Sequence, residues 1–259
     1  MREKREDWKD RQQESDGVIE GRNAVLEALR AGTPVDKIYI AKGETDASLG
    51  HIASTARGKG IVVVEADRRK LDAMSLTHAH QGVIAVAAVR AYATVEDILS
   101  IAREKGEPPL IVVCDELSDP HNLGAVIRTA ECAGAHGVII PKRRSASLNA
   151  TVHKTSAGAA SWLPVARVAN LAAALDTLKE AGVWIYGTDA SGDAYDKVDL
   201  TGPVALVIGS EGFGMGRLVR EKCDFLLRLP MCGRITSLNA SVAAGIFMYE
   251  TLRQRAAKA

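Results

Sequence analysis

In the second half of the chain, short apolar runs recur at helix-length intervals: LIVVCDE (Leu110–Glu116), GVIIP (Gly137–Pro141), LPVARV (Leu163–Val168), VWIYGT (Val183–Thr188), VALVIG (Val204–Gly209) and FLLRLP (Phe225–Pro230). Runs that are apolar along their length, rather than alternating, suit strands buried on both faces. Amphipathic segments separate several of them, at Leu123–Ala133 and Leu171–Ala181, and a last helix is expected from Leu238 onward. Strands alternating with helices predict a mostly parallel α/β sheet covered on both sides.

The first part of the chain alternates on a smaller scale. Helix Gly21–Ala31, strand Lys37–Ala41, helix Ala47–Lys59, strand Ile61–Glu65, a short helix Arg69–Met74 and strand Gly82–Val89 form a predicted α/β/α unit. A chain of 259 residues with 47% apolar content can bury two modest cores, and the composition changes near residue 90. Residues 17–90 are therefore assigned to one domain and 109–259 to another, with 91–108 as a linker. That linker holds a predicted helix Thr94–Lys105, opened by Thr94 and Asp97 at the spacing of an acidic capping box, and ends in the boundary sequence Gly106-Glu107-Pro108-Pro109.

Residues 1–16, MREKREDWKDRQQESD, interleave charges of both signs with almost no apolar side chains, and read as a disordered tail rather than a signal peptide. The longest apolar run, Val83–Val89, is too short to cross a bilayer. Neither export nor membrane insertion is expected, which assigns the chain to the cytoplasm. Cys114, Cys132, Cys223 and Cys232 form no CxxC pair and suit a reducing compartment. His78 and His80 form an HxH pair without further ligand spacing; a solvated loop is expected there, and no metal site. A formal charge of +1 makes no global case for nucleic acid, so any such case is local.

Three segments place polar residues and glycines where strands end, the usual place for ligands in open α/β sheets. In DELSDPHNLGAVIRTAECAG, Asn122 is expected to cap a helix that carries Arg128 two turns in. In VALVIGSEGFGMGRL, a strand runs into Gly209, Glu211, Gly212, Gly214 and Gly216, but the spacing breaks the dinucleotide fingerprint at Arg217 and no P-loop lysine is present. The third, LPMCGRITSLNASVAAGIFMYE (Leu229–Glu250), places Ser237, Asn239 and Ser241 before an alanine-rich helix. Read alone, Ser237 and Asn239 can simply cap that helix.

DPHNLGAVIRTA, LVIGSEGFGM and LPMCGRITSLNASVAAG look like motifs 1, 2 and 3 of the SpoU, or TrmH-type, RNA ribose 2'-O-methyltransferases of the SPOUT class. The first domain, opening VIEGRNAVLEAL and closing QGVIAVA, is similar to that family's L30e-like substrate-binding domain. The stretch from Asp119 to Ala159 most resembles the bacterial 23S rRNA guanosine 2'-O-methyltransferases, with tRNA guanosine 2'-O-methyltransferases and a non-catalytic RNA-binding protein on the same fold as alternatives.

The resemblance implies a deep C-terminal trefoil knot, a homodimer, RNA rather than DNA as partner, and S-adenosyl-L-methionine as cofactor. It implies that Gly209, Leu229, Leu238 and Met231 hold the cofactor, with Thr188 and Gly187 in the same pocket. Catalysis is assigned by resemblance to Arg128, supported by Asn122, Glu211, Ser237 and Asn239. A guanidinium with pKa above about 12 is a poor general base, so Arg128 is expected to grip a phosphate and stabilise the developing oxyanion. The proton acceptor stays open between Arg128 and that phosphate, and Glu211 is expected to fix the glycine loop or pair with Arg128. Lys142, Arg143 and Arg144, with Lys154 nearby in sequence, are candidate RNA phosphate contacts, and Arg22 is a weaker one in the first domain.

Overall fold

The computed structural model describes residues 17–258 apart from Glu44, Thr45, Leu76, His78, Val89 and Arg90. The predicted tail, His78 and the end of the predicted strand at Val89 lie outside the described residues. The chain divides into two compact units, the first mainly up to Ala91 and the second beginning at Tyr92.

In the first unit, β1 (Val18–Glu20), β2 (Val35–Ala41), β3 (Val62–Ala66) and β4 (Val83–Ala87) form one sheet in the order β1-β4-β2-β3. The β2/β3 pair is parallel and the other two pairs are antiparallel. The three-residue β1 was not expected from the sequence: so short a run has no period of its own and is fixed by pairing Ile19 with Ala85. Helices α1 (Arg22–Arg30) and α2 (Ala47–Gly58) bury Val25, Leu29, Leu49 and Ile52 on one sheet face, against Ile38 and Ile40. The seven-residue α3 (Arg68–Met74) sets Leu71 against Ala41, Ala66 and Ile84 on the other. His80 is 2% exposed rather than solvated. Its Nδ1 accepts from the Gly82 N–H and its Nε2 lies 2.9 Å from Asp72, so the ring fastens the approach to β4.

The second unit contains α4 (Val95–Lys105), β5 (Leu110–Cys114), α5 (Pro120–Cys132), β6 (Gly137–Pro141), α6 (Ala150–Thr155, whose Ala150 and Thr151 are grouped with the first unit), β7 (Val165–Val168), α7 (Leu171–Glu180), β8 (Trp184–Ala194), β9 (Val204–Ile208), α8 (Arg217–Glu221), β10 (Phe225–Arg228) and α9 (Ala240–Lys258). Its six strands are all parallel, in the order β10-β8-β9-β5-β6-β7. Every residue of β5 and β9 is buried, as continuous apolar runs require, and each large aliphatic side chain so placed contributes about 1.5–3 kcal/mol.

Helix α4 is part of this core rather than a free connector. Thr94 and Asp97 form the anticipated capping box, and Val95, Ile98 and Leu99 join the buried cluster of Ile111, Ile139, Leu175 and Val207. The unit therefore begins ahead of the proline pair, because a helix with an apolar stripe is stable only where that stripe is covered. No helix among the described residues is long and apolar enough to cross a membrane. Cys114 is buried in β5 as a small apolar residue, and burial pushes its thiol up to about 12.

From β5 the chain moves outward through β6 and β7, then returns to the other side of β5 to lay down β8 and β9. The strand order thus reverses between β5 and β9, and their carboxyl ends flank the crevice where ligands of such sheets bind.

Candidate functional site

Two loops leave that crevice. After β5, Asp119 rather than Asn122 caps α5: its carboxylate accepts from the His121 N–H at 2.9 Å, and Pro120 occupies the first helical position, where a missing N–H costs nothing. Asn122 is thereby released from capping and buried at 7% exposure. After β9, Ser210 and Gly214 exchange two backbone hydrogen bonds of 2.9 Å, closing a tight loop around Glu211. The buried Asp115 carboxylate holds the far end of this loop by accepting from the Gly216 N–H at 2.7 Å; burial raises its pKa, and that bond opposes the shift.

The third contributor is the start of α9. Asn239 Oδ1 accepts from the N–H groups of Ser241 (2.9 Å) and Val242 (3.3 Å), so Asn239, not Ser237, caps the helix, which begins at Ala240 rather than Leu238. With Oδ1 held there, Nδ2 must point the other way; a flipped amide would set N–H against N–H. Nδ2 donates to Glu211 Oε1 (2.6 Å) and Asn122 Oδ1 (2.9 Å), while Asn122 Nδ2 donates to the same Glu211 oxygen at 2.9 Å. The Ala240 N–H adds a third donor at 3.2 Å. Three segments far apart in sequence thus meet on one carboxylate oxygen at the amino end of a helix, where negative charge is favoured.

Arg128 is exposed on α5, and its guanidinium has no ion pair or hydrogen bond among the described residues. Glu211 therefore joins the two asparagines and does not pair with Arg128: the carboxylate is already engaged by three N–H donors.

Beside this cluster lies a cavity of about 440 Å³ lined by Thr188, Asp189, Ala190, Leu227, Arg228, Leu229, Met231, Gly233, Ile235, Thr236, Ser237, Leu238, Ala243 and Phe247. Of the residues named from sequence, Thr188, Leu229, Met231, Leu238 and Ser237 line it, and Gly187 and Gly209 do not. Both glycines have packing reasons instead. A Cβ at Gly187 would stand 2.6 Å from Cys223 Sγ and 2.7 Å from Met215 Cε, and one at Gly209 would collide with the Gly214 carbonyl group.

Asp189 and Ala190 went unnoticed in the sequence because β8 continues to Ala194, past its predicted end at Thr188. The register against β10 shifts between Leu226 and Leu227, and this irregularity turns residues 188–190 toward the cavity. The Asp189 carboxylate is held at a pKa of about 2, first by the Ser191 hydroxyl and N–H and then by Arg220 at 3.0 Å. The local DAS sequence of an Asx turn was the available signal.

The candidate RNA cations are divided. Arg143 and Lys154 are exposed, Lys142 is half-buried, and Arg144 is exposed but pairs with Glu116 at 3.0 Å. Arg22 is committed to Asp46 at 2.6 Å and to the Gln81 carbonyl at 3.0 Å. No group of three or more metal-ligating side chains occurs among the described residues.

Polar side chains gathered at the carboxyl ends of a parallel sheet, against an apolar-walled cavity of ligand size, define a cofactor-dependent α/β enzyme. The chain belongs to the SpoU rRNA Methylase family, whose model matches residues 109–249, while residues 18–93 match the model for RNA 2'-O ribose methyltransferase substrate binding. It is an RNA methyltransferase of the TrmH/SpoU type. It is 50% identical over 244 residues to YacO of Bacillus subtilis (strain 168), assigned to the TrmH family of tRNA/rRNA methyltransferases; the match covers 94% of this chain and 97% of YacO. Among solved structures it is similar to the SpoU methyltransferase AviRb from Streptomyces viridochromogenes in complex with AdoMet (TM-score 0.59, 27% identity, 93% and 90% of the two chains). A TrmH/SpoU tRNA modifying enzyme of A. aeolicus matches 63% of this chain and 85% of its own, with a TM-score of 0.54 and 32% identity.

Proposed function

We propose that this protein transfers a methyl group from S-adenosyl-L-methionine to the ribose 2'-hydroxyl of a guanosine in 23S rRNA. The observation that carries the reading is the junction of Asn122, Glu211 and Asn239 beside the cavity walled by Leu229, Met231 and Leu238. The cavity suits the cofactor in size and chemistry, with apolar walls for a base and polar Thr188, Asp189 and Ser237 at its margin. The cofactor supplies an electrophilic methyl on a sulfonium.

The chain's own residues then have three tasks. Leu229, Met231 and Leu238 exclude water from the cavity wall. Asn122, Glu211 and Asn239 lock motif to motif, so that Ser237 and Arg128 face the ribose in a fixed arrangement. Arg128, exposed and without a partner among the described residues, binds the phosphate beside the target ribose and stabilises the oxyanion that develops at O2'. The 2'-hydroxyl gives up its proton as O2' bonds the methyl, and the two groups placed to receive it are Arg128 and the phosphate that Arg128 holds.

In this reading the segment from Leu229 to Glu250 is the threaded end of a trefoil knot. Two copies pair through α9, whose Val242 and Tyr249 are 51% and 50% exposed. A cytoplasmic site is supported by four free cysteines. Ribosomal RNA is favoured over tRNA because the tRNA-modifying neighbour matches 63% of this chain, and the substrate-binding match at residues 18–93 covers a further unit.

The test is incorporation of labelled methyl from S-adenosylmethionine into unmethylated 23S rRNA, 16S rRNA and tRNA, with mass-spectrometric mapping. A 2'-O-methylguanosine in 23S rRNA is expected. The same product in tRNA alone would move the substrate, and no incorporation into any RNA would overturn the activity.

A further inference from the structure

The cavity of the second unit is walled by apolar and uncharged side chains, and among the described residues that line it only Asp189 and Arg228 carry charge. The two differ in how far they are already committed. Asp189 accepts from the Ser191 N–H at 2.8 Å, from the Ser191 hydroxyl at 2.6 Å and from Arg220 Nε at 3.0 Å. Arg220 also donates to the Ser191 hydroxyl at 3.1 Å, so this cation and this anion answer each other at the cavity margin. The Arg228 guanidinium, by contrast, has no ion pair or hydrogen bond among the described residues. The other carboxylate that the register brings alongside is Asp193, which is exposed, stands opposite Leu227 rather than Arg228, and forms no ion pair with it.

Arg228 is the last residue of β10, an edge strand of the six-stranded sheet. The alternation of a strand buries Leu227 and leaves Arg228 exposed. A cation on an edge strand can serve merely to deter pairing with another chain. The place of Arg228 argues for more. It stands at the carboxyl end of a parallel strand, where ligands of such sheets bind, and the chain that follows it supplies Leu229 and Met231 to the same cavity.

S-adenosyl-L-methionine carries a sulfonium, an ammonium and a carboxylate. A carboxylate brought against apolar walls loses hydration and needs a charged donor in exchange. Asp189 and Arg220 are spent on each other, which leaves Arg228 as the uncommitted cation among the described lining residues. A guanidinium presents its N–H groups in a planar fork that matches a carboxylate. We propose that Arg228 holds the carboxylate of the cofactor's methionine portion. The inference rests on the reading of the cavity as the cofactor site, and it adds a charged contact that the walls of Leu229, Met231 and Leu238 do not supply.

The experiment is calorimetry in the absence of RNA, with the full chain and its R228M and R228K variants. The ligands are S-adenosylmethionine and decarboxylated S-adenosylmethionine, which lacks only the carboxylate. The parent is expected to bind S-adenosylmethionine roughly 3- to 10-fold more tightly than the decarboxylated compound, as suits one charge-assisted contact at an exposed rim. In R228M the affinity for S-adenosylmethionine should fall by that same factor and the affinity for the decarboxylated compound should hold, so that the preference closes to about one; R228K, which keeps the charge without the fork, should lie between. Because Arg228 is exposed and its guanidinium makes no bond, both variants are expected to melt within about 2 °C of the parent. Unchanged affinity of both variants for both ligands would overturn the proposal and leave Arg228 a simple edge-strand cation. Equal loss for the two ligands would overturn it as well, as a distortion of the cavity, and so would intact cofactor binding with weakened retention of RNA on filters, which would assign Arg228 to a phosphate of the substrate. Absence of methyl transfer to any RNA would remove the proposed activity without touching this measurement, whereas a parent chain that binds neither ligand would overturn this assignment together with the reading of the cavity.

Discussion

Replacing Glu211 separates its oxygen from its charge. Glu211 Oε1 accepts from Asn122, Asn239 and the Ala240 N–H, and Asn122 is 7% exposed. In Glu211→Ala the buried Asn122 donor loses its acceptor, which costs about 1–3 kcal/mol, while the exposed Asn239 amide regains water and adds little. At about 2–4 °C per kcal/mol for a chain of this size, the midpoint should fall by roughly 2–12 °C. Glu211→Gln keeps a side-chain oxygen able to accept the same three N–H groups. It gives up only the charge assistance of an exposed group, less than about 1 kcal/mol. Thermal unfolding of parent, Gln and Ala forms, followed by calorimetry, should rank them parent, Gln, Ala. An Ala variant melting within about 1 °C of the parent, or a Gln variant as low as Ala, would refute the view that this oxygen joins the three motifs.

The remaining predictions concern chemistry, cofactor and pH. Arg128→Ala should lower kcat by about 100- to 1000-fold while calorimetric S-adenosylmethionine binding is retained; normal turnover would remove Arg128 from the mechanism. Leu238→Asp puts a carboxylate into the cavity wall and should weaken the cofactor by at least about tenfold, or 1.4 kcal/mol, with equal affinity separating cofactor from cavity. Asp189 has a folded pKa of about 2, below the ordinary value of about 3.9 for an unfolded chain, so its stabilisation is present above about pH 4 and lost as pH falls through 2. The difference in stability between the parent and Asp189→Ala should therefore shrink as pH is lowered from 5 to 2, and a gap that widens would contradict the assignment.

Much of the second unit was legible because its strands are buried on both faces. A run such as VALVI has one reading when no residue in it tolerates water, and β9 follows it residue for residue. Helix starts were less legible. Asp119, Asn122, Ser237 and Asn239 are all competent caps, and the choice fell to the residue whose neighbours were right: Pro120 after Asp119, and the Ser241 and Val242 N–H groups after Asn239. The end of β8 was missed because its last residues hold their register through β10 rather than through an apolar pattern of their own.

By itself, the sequence determined which segments must be hidden from water, hence a parallel α/β sheet, and it carried the three motifs that mark the family. Hydrophobic periodicity is local, so one chain read in order is enough to reveal it. Only the tertiary structure decided that Asn122 meets Glu211 across 89 positions and Asn239 across 117, and that Arg22 is spent on Asp46. Hydrogen-bond partners and charge neighbours depend on distances through space. In the second unit those distances are fixed when the strand order reverses between β5 and β9 and brings the three motifs together.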